Sequence, residues 1–241
     1  MVTFEDVRHK LGSGAAHVPE SRFGVWFLGT ETWTTHVLTR ALDDLDRLIT
    51  RRPSDPVIVD VGCGWGRSFA LLNQRFAPRQ LIGIDIDREM LAASAAEAAR
   101  HGLAVALKQA TSAELPLPDQ SADMIFCHQT FHHLIDQGGA IAEFHRVLKP
   151  GGQLLFAEST RAYIHSWIIR LLFRHPMAVQ KSAAEYLALI RGAGFLVEAD
   201  AISYPYHWWS RADLGIGERV FGIAPPAERE ETLINLIAVR R

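Results

Sequence analysis

The feature that most constrains this chain is the decapeptide Val57-Ile-Val-Asp-Val-Gly-Cys-Gly-Trp-Gly66. Its first half, Val57–Val61, reads as a short strand of the kind buried on both faces in a parallel sheet. Its second half places glycine at every other position. Such a turn is tight, and a ligand can approach its backbone closely. A helix follows, from about Arg67 to Arg75. The pattern Gly62-x-Gly64-x-Gly66 is not the dinucleotide fingerprint, in which the third glycine falls one place later. That fingerprint presents a helix N-terminus to a pyrophosphate. A turn of different spacing predicts a ligand without one.

Strands and helices alternate after this point. Gln80–Ile84, Leu103–Lys108, Asp123–Cys127, Gln153–Glu158, Phe195–Ser203 and Thr232–Val239 read as further strands. Asp87 caps an alanine-rich helix that Gly102 stops. Ala140–Leu148 is a helix closed by Lys149-Pro-Gly-Gly152. Ser182-Ala-Ala-Glu185 is a capping box that opens another. The pattern predicts an α/β fold: a Rossmann-like, seven-stranded, mostly parallel sheet with helices on both faces. Ligands in such sheets bind at the carboxyl ends of the strands, near the switch point. Asp85 ends the second strand, roughly 20 residues beyond the glycines, where an acid can accept both hydroxyls of a ribose.

Four blocks in this order resemble the class I S-adenosylmethionine-dependent methyltransferases, in particular the branch of quinone-biosynthesis and small-molecule enzymes. They are Val57–Gly66, Ile84–Asp87, Ala110–Pro118 and Asp123–Leu134, followed by Lys149-Pro-Gly-Gly152. The resemblance implies an antiparallel last strand and S-adenosyl-L-methionine as cofactor. It implies that Asp60, Gly62 and Gly64 surround the methionine part of that cofactor, with Cys63 packed in the same turn. Asp85 then binds the ribose, Ile86 packs on the adenine, Ser112 and Ala113 lie at the adenine edge, and His128 lies near the methionine amino group. Thr111 stands where the family often has an acid for the adenine amino group, so a hydroxyl or backbone carbonyl must substitute there.

On the acceptor side, His132 is the candidate base, because histidine titrates near working pH. Trp33, His133, Tyr163, Trp167 and Tyr204 are the candidate substrate contacts. No metal is expected, since adjacent histidines rarely face one ion and no partner stands at zinc-like spacing. Tyr163, Ile164, Trp167, Ile168, Leu171 and Leu172 recur at helical spacing beside Arg170 and Arg174. That stripe reads as a cap on the sheet or, alternatively, as a peripheral membrane contact.

The 241 residues read as one domain: an N-terminal lid and helix (1–52), a cofactor core (57–158), a cap insertion (159–181) and a C-terminal part of the sheet (182–241). A formal net charge of −2 argues against a nucleic-acid partner. Met1–Lys10 has no apolar core of a signal peptide, and no apolar run reaches the roughly 18–20 residues of a membrane span. Cys63 and Cys127 lie beside different strands and read as reduced thiols. These features together predict a cytoplasmic enzyme that transfers a methyl group to a small, apolar or aromatic acceptor. The rivals are a non-catalytic cofactor-binding protein docked on a membrane or partner, and a nicotinamide-dependent oxidoreductase. Oligomeric state, and the role of Leu214–Glu231, are not set by the sequence.

Overall fold

In the computed structural model, which describes residues 18, 20–211, 214–224 and 228–241, β1 (Val57–Val61) is buried along its whole length. It pairs in parallel with β2 (Gln80–Asp85) on one side and β4 (Ala122–His128) on the other. β3 (Val105–Gln109) extends the parallel set beyond β2, and β5 (Leu148–Ser159) extends it beyond β4. After β3 the chain crosses back over β1 to form β4. The sheet therefore reverses direction between β1 and β4, and the carboxyl ends of those two strands form its switch point.

The last strand, β8 (Leu233–Arg240), runs antiparallel to β5, as expected. The strand expected over Phe195–Ser203 is instead two fragments. β6 (Phe195–Leu196) and β7 (Ile202–Ser203) each pair only briefly with β8, and a 3-10 turn at Ala199–Ala201 separates them. The polar Glu198-Ala-Asp200 run cannot continue a buried strand, so the chain turns out there. The order is β3-β2-β1-β4-β5-β8-β6, with β7 also on β8.

Helices cover both faces. α1 (Arg22–Leu28) starts at Ser21, whose hydroxyl accepts from Gly24 N at 2.9 Å. α2 is one helical run: Glu31–Trp33, a π-turn over Thr34–Leu38, then Thr39–Leu48. α3 (Ser68–Phe76) follows the glycine turn, and α4 (Arg88–Arg100) is capped by Asp87 as expected. α5 (Gln137–Val147) precedes β5. α6 (Arg161–Ile164) and α7 (Trp167–Leu172) follow it. α8 (Ala183–Gly192) carries the expected capping box of Ser182 and Glu185, and α9 (Ile216–Phe221) is short.

Strand alternation divides the core. Val57, Val59 and Val61 face Ile141, Phe144 and Tyr186 of α5 and α8. Ile58 faces the opposite way, toward Leu42 and Leu45 of α2 and Phe69 and Leu72 of α3. Each of these fully buried side chains contributes about 1.5–3 kcal/mol. This rigid double-sided core fixes the strand ends from which the site is built. The readings for Met1–Lys10 and for the rest of the stretch before Val18 lie outside the described residues.

Candidate active site

The turn after β1 folds back on the end of β2. Gly62 N and Cys63 N both donate to Ile84 O, at 2.8 and 3.1 Å. Gly64 N donates to Asp85 Oδ2 at 2.8 Å, and Asp87 N donates to Asp85 Oδ1 at 2.9 Å. Asp85 is thus aimed by two backbone donors. Gly62 and Gly64 both have positive φ, 76° and 48°. A Cβ on Gly62 would meet Thr130 at 2.2 Å, whereas a Cβ on Gly64 would meet nothing within 4 Å. One glycine closes the turn against β4, and the other leaves its face open.

That open face belongs to a crevice of about 340 Å³. Asp60, Gly62, Cys63, Gly64, Asp85 and Ile86 line it, with Ser112 and His128. Thr111 lines it too; Ala113 does not, because the chain turns away from the crevice after Ser112.

Two buried polar groups give the crevice its chemistry. Asp60 is only 2% exposed and accepts a hydrogen bond from the Ser68 hydroxyl. Burial pushes its carboxyl up to about 7; the Ser68 bond opposes this and the nearby Asp85 adds to it. His128 packs on Phe126 and Trp33, with ring centroids 5.8 and 5.4 Å away. Burial, with a smaller contribution from His132, brings it down to about 3, so the ring is neutral. Its buried Nε2 has no hydrogen-bond partner among the described residues. An orphaned buried nitrogen is costly unless a ligand satisfies it. A carboxyl beside an unsatisfied imidazole suits the amino-acid end of a ligand. An acid held by backbone at the far end suits hydroxyls. The residues present therefore fit an adenosyl amino acid. Burial also pushes the Cys63 thiol up, so it is a packing residue and not a nucleophile. Cys63 and Cys127 are both free.

A second cavity, also about 340 Å³, lies across a wall that both share: Glu20, Leu28, Trp33, Gln129 and His133. Its other surfaces are mostly apolar, with Phe23 and Phe27 of α1, Tyr163 of α6, Ile168 and Leu172 of α7, and Trp209. Long-range contacts clamp α1 between the two cavities. The Ser21 hydroxyl donates to Leu172 O at 2.6 Å, and Phe23 packs edge-on against Phe173 at 5.5 Å. From the glycine-turn side, Trp65 Nε1 donates to Val25 O at 3.2 Å and Arg67 Nη2 to Gly29 O at 2.6 Å. The π-turn of α2 contributes Trp33's neighbour His36 and Val37 to the same cavity.

His132 lines this second cavity and is nearly buried, with Nδ1 2.6 Å from Glu158 Oε2. Glu158, at the end of β5, also accepts from Thr130 N and Phe131 N on Oε1, at 2.8 and 2.7 Å. A carboxylate so held fixes the imidazole's orientation. Next to it, Gln129 adopts φ 51° and accepts from the Ser159 hydroxyl at 2.6 Å. Non-glycine residues in this conformation concentrate at functional sites.

Two expected substrate contacts lie elsewhere. Trp167 is 64% exposed, because the short α7 turns Ile168, Ile169 and Leu172 inward instead. Tyr204 is 41% exposed in the extended segment after β7; Trp208 and Trp209, a few residues further on, line the cavity in its place. Trp33, His133 and Tyr163 do line it. Sequence reasoning missed Glu20, Gln129, Glu158 and His175. Only Glu158 left a signal, as a lone carboxylate closing an apolar strand. No third histidine stands at zinc-like spacing in the sequence, yet the fold brings one to His132 and His133. Pro176 stops the chain after α7, and the return segment brings His175 to within 5.1 and 4.7 Å of their rings.

A methyltransferase-domain family matches residues 59–156. A probable S-adenosylmethionine-dependent methyltransferase of Mycolicibacterium smegmatis is 34% identical over 58% of this chain and 52% of its own length. A ubiquinone biosynthesis O-methyltransferase of Pseudomonas syringae is 31% identical over 62% of this chain and 68% of its own. The chain spans about half the length of several of the curated relatives it matches. A solved S-adenosylmethionine-dependent methyltransferase from Aquifex aeolicus, 18% identical, shares the fold with a TM-score of 0.62 over 90% of this chain and 96% of that one. The match over the glycine turn and β2, the crevice they build, and the relative matched over two thirds of its length agree: this chain belongs to the class I S-adenosylmethionine-dependent methyltransferases.

Proposed function

We propose that this protein transfers a methyl group to a hydroxyl of a small apolar or aromatic molecule held in the second cavity. The observation that carries the reading is the shared wall. A crevice whose buried polar groups suit an adenosyl amino acid and a more apolar cavity meet at Trp33, Gln129 and His133. When bound, S-adenosylmethionine supplies an electrophilic methyl group on a sulfonium. The aromatic face of Trp33, at the wall, favours a nearby cation. The O-methyltransferase similarity of the Pseudomonas relative points to an oxygen acceptor, and the apolar lining points to a lipophilic one.

The protein's own contribution is chiefly position. Holding two reactants in line is worth up to roughly 7–11 kcal/mol. The clamped α1 and the apolar lining exclude water from that alignment. His132 serves the acceptor. His132 Nδ1 lies 2.6 Å from Glu158 Oε2; with the ring proton donated there, Nε2 keeps the lone pair that receives a proton from the acceptor hydroxyl. Replacing His132 by Ala should lower turnover by about 10²–10⁴-fold while S-adenosylhomocysteine still binds. The test of the whole reading is incubation with methyl-labelled S-adenosylmethionine and a panel of lipophilic hydroxylated aromatics. Label should reach at least one acceptor hydroxyl; cofactor binding with no labelled product from any member would defeat the proposal.

A second reading rests on α7. Trp167 and Leu171 are 64% and 73% exposed, beside Arg170 and Arg174. Among the described residues no helix is long and apolar enough to cross a membrane, but this face suits docking on an anionic lipid surface. Flotation with anionic vesicles, lost in Trp167→Glu, would support it. Absence of flotation would end it.

A further inference from the structure

We infer that His132, His133 and His175 form a binding site for a divalent transition-metal ion, zinc by preference, on the acceptor side of the shared wall. One ligand nitrogen of each histidine lies within 4.8 Å of the others. On a tetrahedral ion with Zn–N bonds near 2.0–2.1 Å, the nitrogens stand roughly 3.3 Å apart. Small ring rotations close that difference. The 3-10 turn Phe131–His133 already brings the two adjacent rings to 4.3 Å, and His175 completes the tripod from a separate segment.

The surroundings of His132 are those of a metal ligand, and a second carboxylate stands near the other two rings. Histidine ligands usually give their second nitrogen to a carboxylate or carbonyl, which fixes the tautomer. Glu158 does this for His132 at Nδ1. Glu20 Oε2 stands 3.7 Å from His133 Nε2, and Glu20 Oε1 accepts from Arg174 N at 3.0 Å, next to His175. The two segments are also tied to each other. Gln180 Nε2 donates both to His132 O at 2.8 Å and to Pro176 O at 3.1 Å.

All three histidines line the acceptor cavity, so an ion held by them keeps its remaining position open toward the acceptor. Three nitrogens with one open position is the arrangement of catalytic rather than structural zinc sites, and imidazole selects zinc, copper, iron or nickel over magnesium or calcium. The ion would bind the acceptor oxygen as a Lewis acid and lower its pKa, so that its proton passes to solvent before the oxygen takes the methyl group. It would occupy the Nε2 lone pair otherwise used as a base, so His132 would then position the ion. That role rests on the methyl-transfer reading; the site itself does not.

Cobalt(II) titration of chelator-treated full-length protein tests the site directly. The expected result is one equivalent of Co²⁺ per chain with the visible bands of a four-coordinate nitrogen site, displaced by Zn²⁺. His175→Ala should abolish the bands and stoichiometric uptake while S-adenosylhomocysteine affinity stays unchanged, which shows the fold intact. Should that variant fail to bind S-adenosylhomocysteine, His175→Asn, which keeps more of the side-chain volume at a position lining only the second cavity, is read in the same way. Glu158→Gln should weaken uptake by roughly 10–100-fold. No bands in the wild type, or equal uptake by the histidine variants, would overturn the inference. Stoichiometric uptake in a protein that methylates no acceptor would uphold the site and defeat only the reaction assigned to it.

Discussion

The two cavities are similar in volume and opposite in construction. The cofactor crevice is built from backbone: a glycine turn, two strand ends and an acid held by peptide N–H groups. Its residues fall close together in sequence, between Asp60 and His128 for the most part. The acceptor cavity is built from side chains on α1, α2, α6, α7 and the segment around Trp209, far apart in sequence. The first depends on backbone geometry that few sequences can adopt. The second depends on apolar packing that many sequences satisfy.

Substitutions can break the contrast. The largest effect is expected inside the glycine turn itself. Gly62→Ala combines a left-handed backbone with a clash against Thr130 and should cost roughly 2–5 kcal/mol of stability. Gly64→Ala meets no neighbour, so thermal unfolding should show only the backbone strain of about 1–2 kcal/mol, with the loss appearing in cofactor affinity. Equal loss of stability in both would show that the open face is not a ligand face.

Next in size, Asp85→Ala should weaken S-adenosylhomocysteine binding by about 1.5–3 kcal/mol, measured by calorimetry, because a charged acceptor is lost. An unchanged dissociation constant would mean that the ribose lies elsewhere. On the apolar side, Ile168→Ala should raise the acceptor KM by about tenfold and leave S-adenosylhomocysteine affinity alone, since it lines only the second cavity. A change in both would join the two cavities into one functional unit.

The smallest effect is on pH dependence. Burial raises the Asp60 carboxyl from 3.8 to about 7, so folding favours its neutral form. Its contribution to stability is full below about pH 4 and is lost as pH rises toward about 7. A cationic ammonium beside Asp60 favours the carboxylate instead. S-adenosylhomocysteine affinity should therefore rise between about pH 6 and pH 8, and Asp60→Asn should flatten that rise.

The same contrast explains what was legible in the sequence. The five parallel strands, the Asp87 cap, the Ser182 capping box and the crevice residues Asp60 to Ile86 could be read, because each is a local rule written in consecutive residues. Ala113 was misplaced by one position, where the chain leaves the crevice. Trp167 lies outside the second cavity because helical spacing says which residues share a stripe, not which side of it faces inward; Tyr204 lies outside it because an aromatic-rich extended segment does not say which of its rings turn inward. The Phe195–Ser203 strand failed because Glu198 and Asp200 interrupt an apolar pattern that looked continuous at its ends. Glu158 with His132, and His175 with His133, are pairings made by strand order and by the turn at Pro176, and no local pattern announces either.

The most direct test of the central claim is a crystal structure with S-adenosylhomocysteine. The ribose should lie against Asp85 and the amino-acid end between Asp60 and His128, with the sulfur facing Trp33 and Gln129. A nucleoside bound outside the crevice, or a sulfur turned away from that shared wall, would contradict the account.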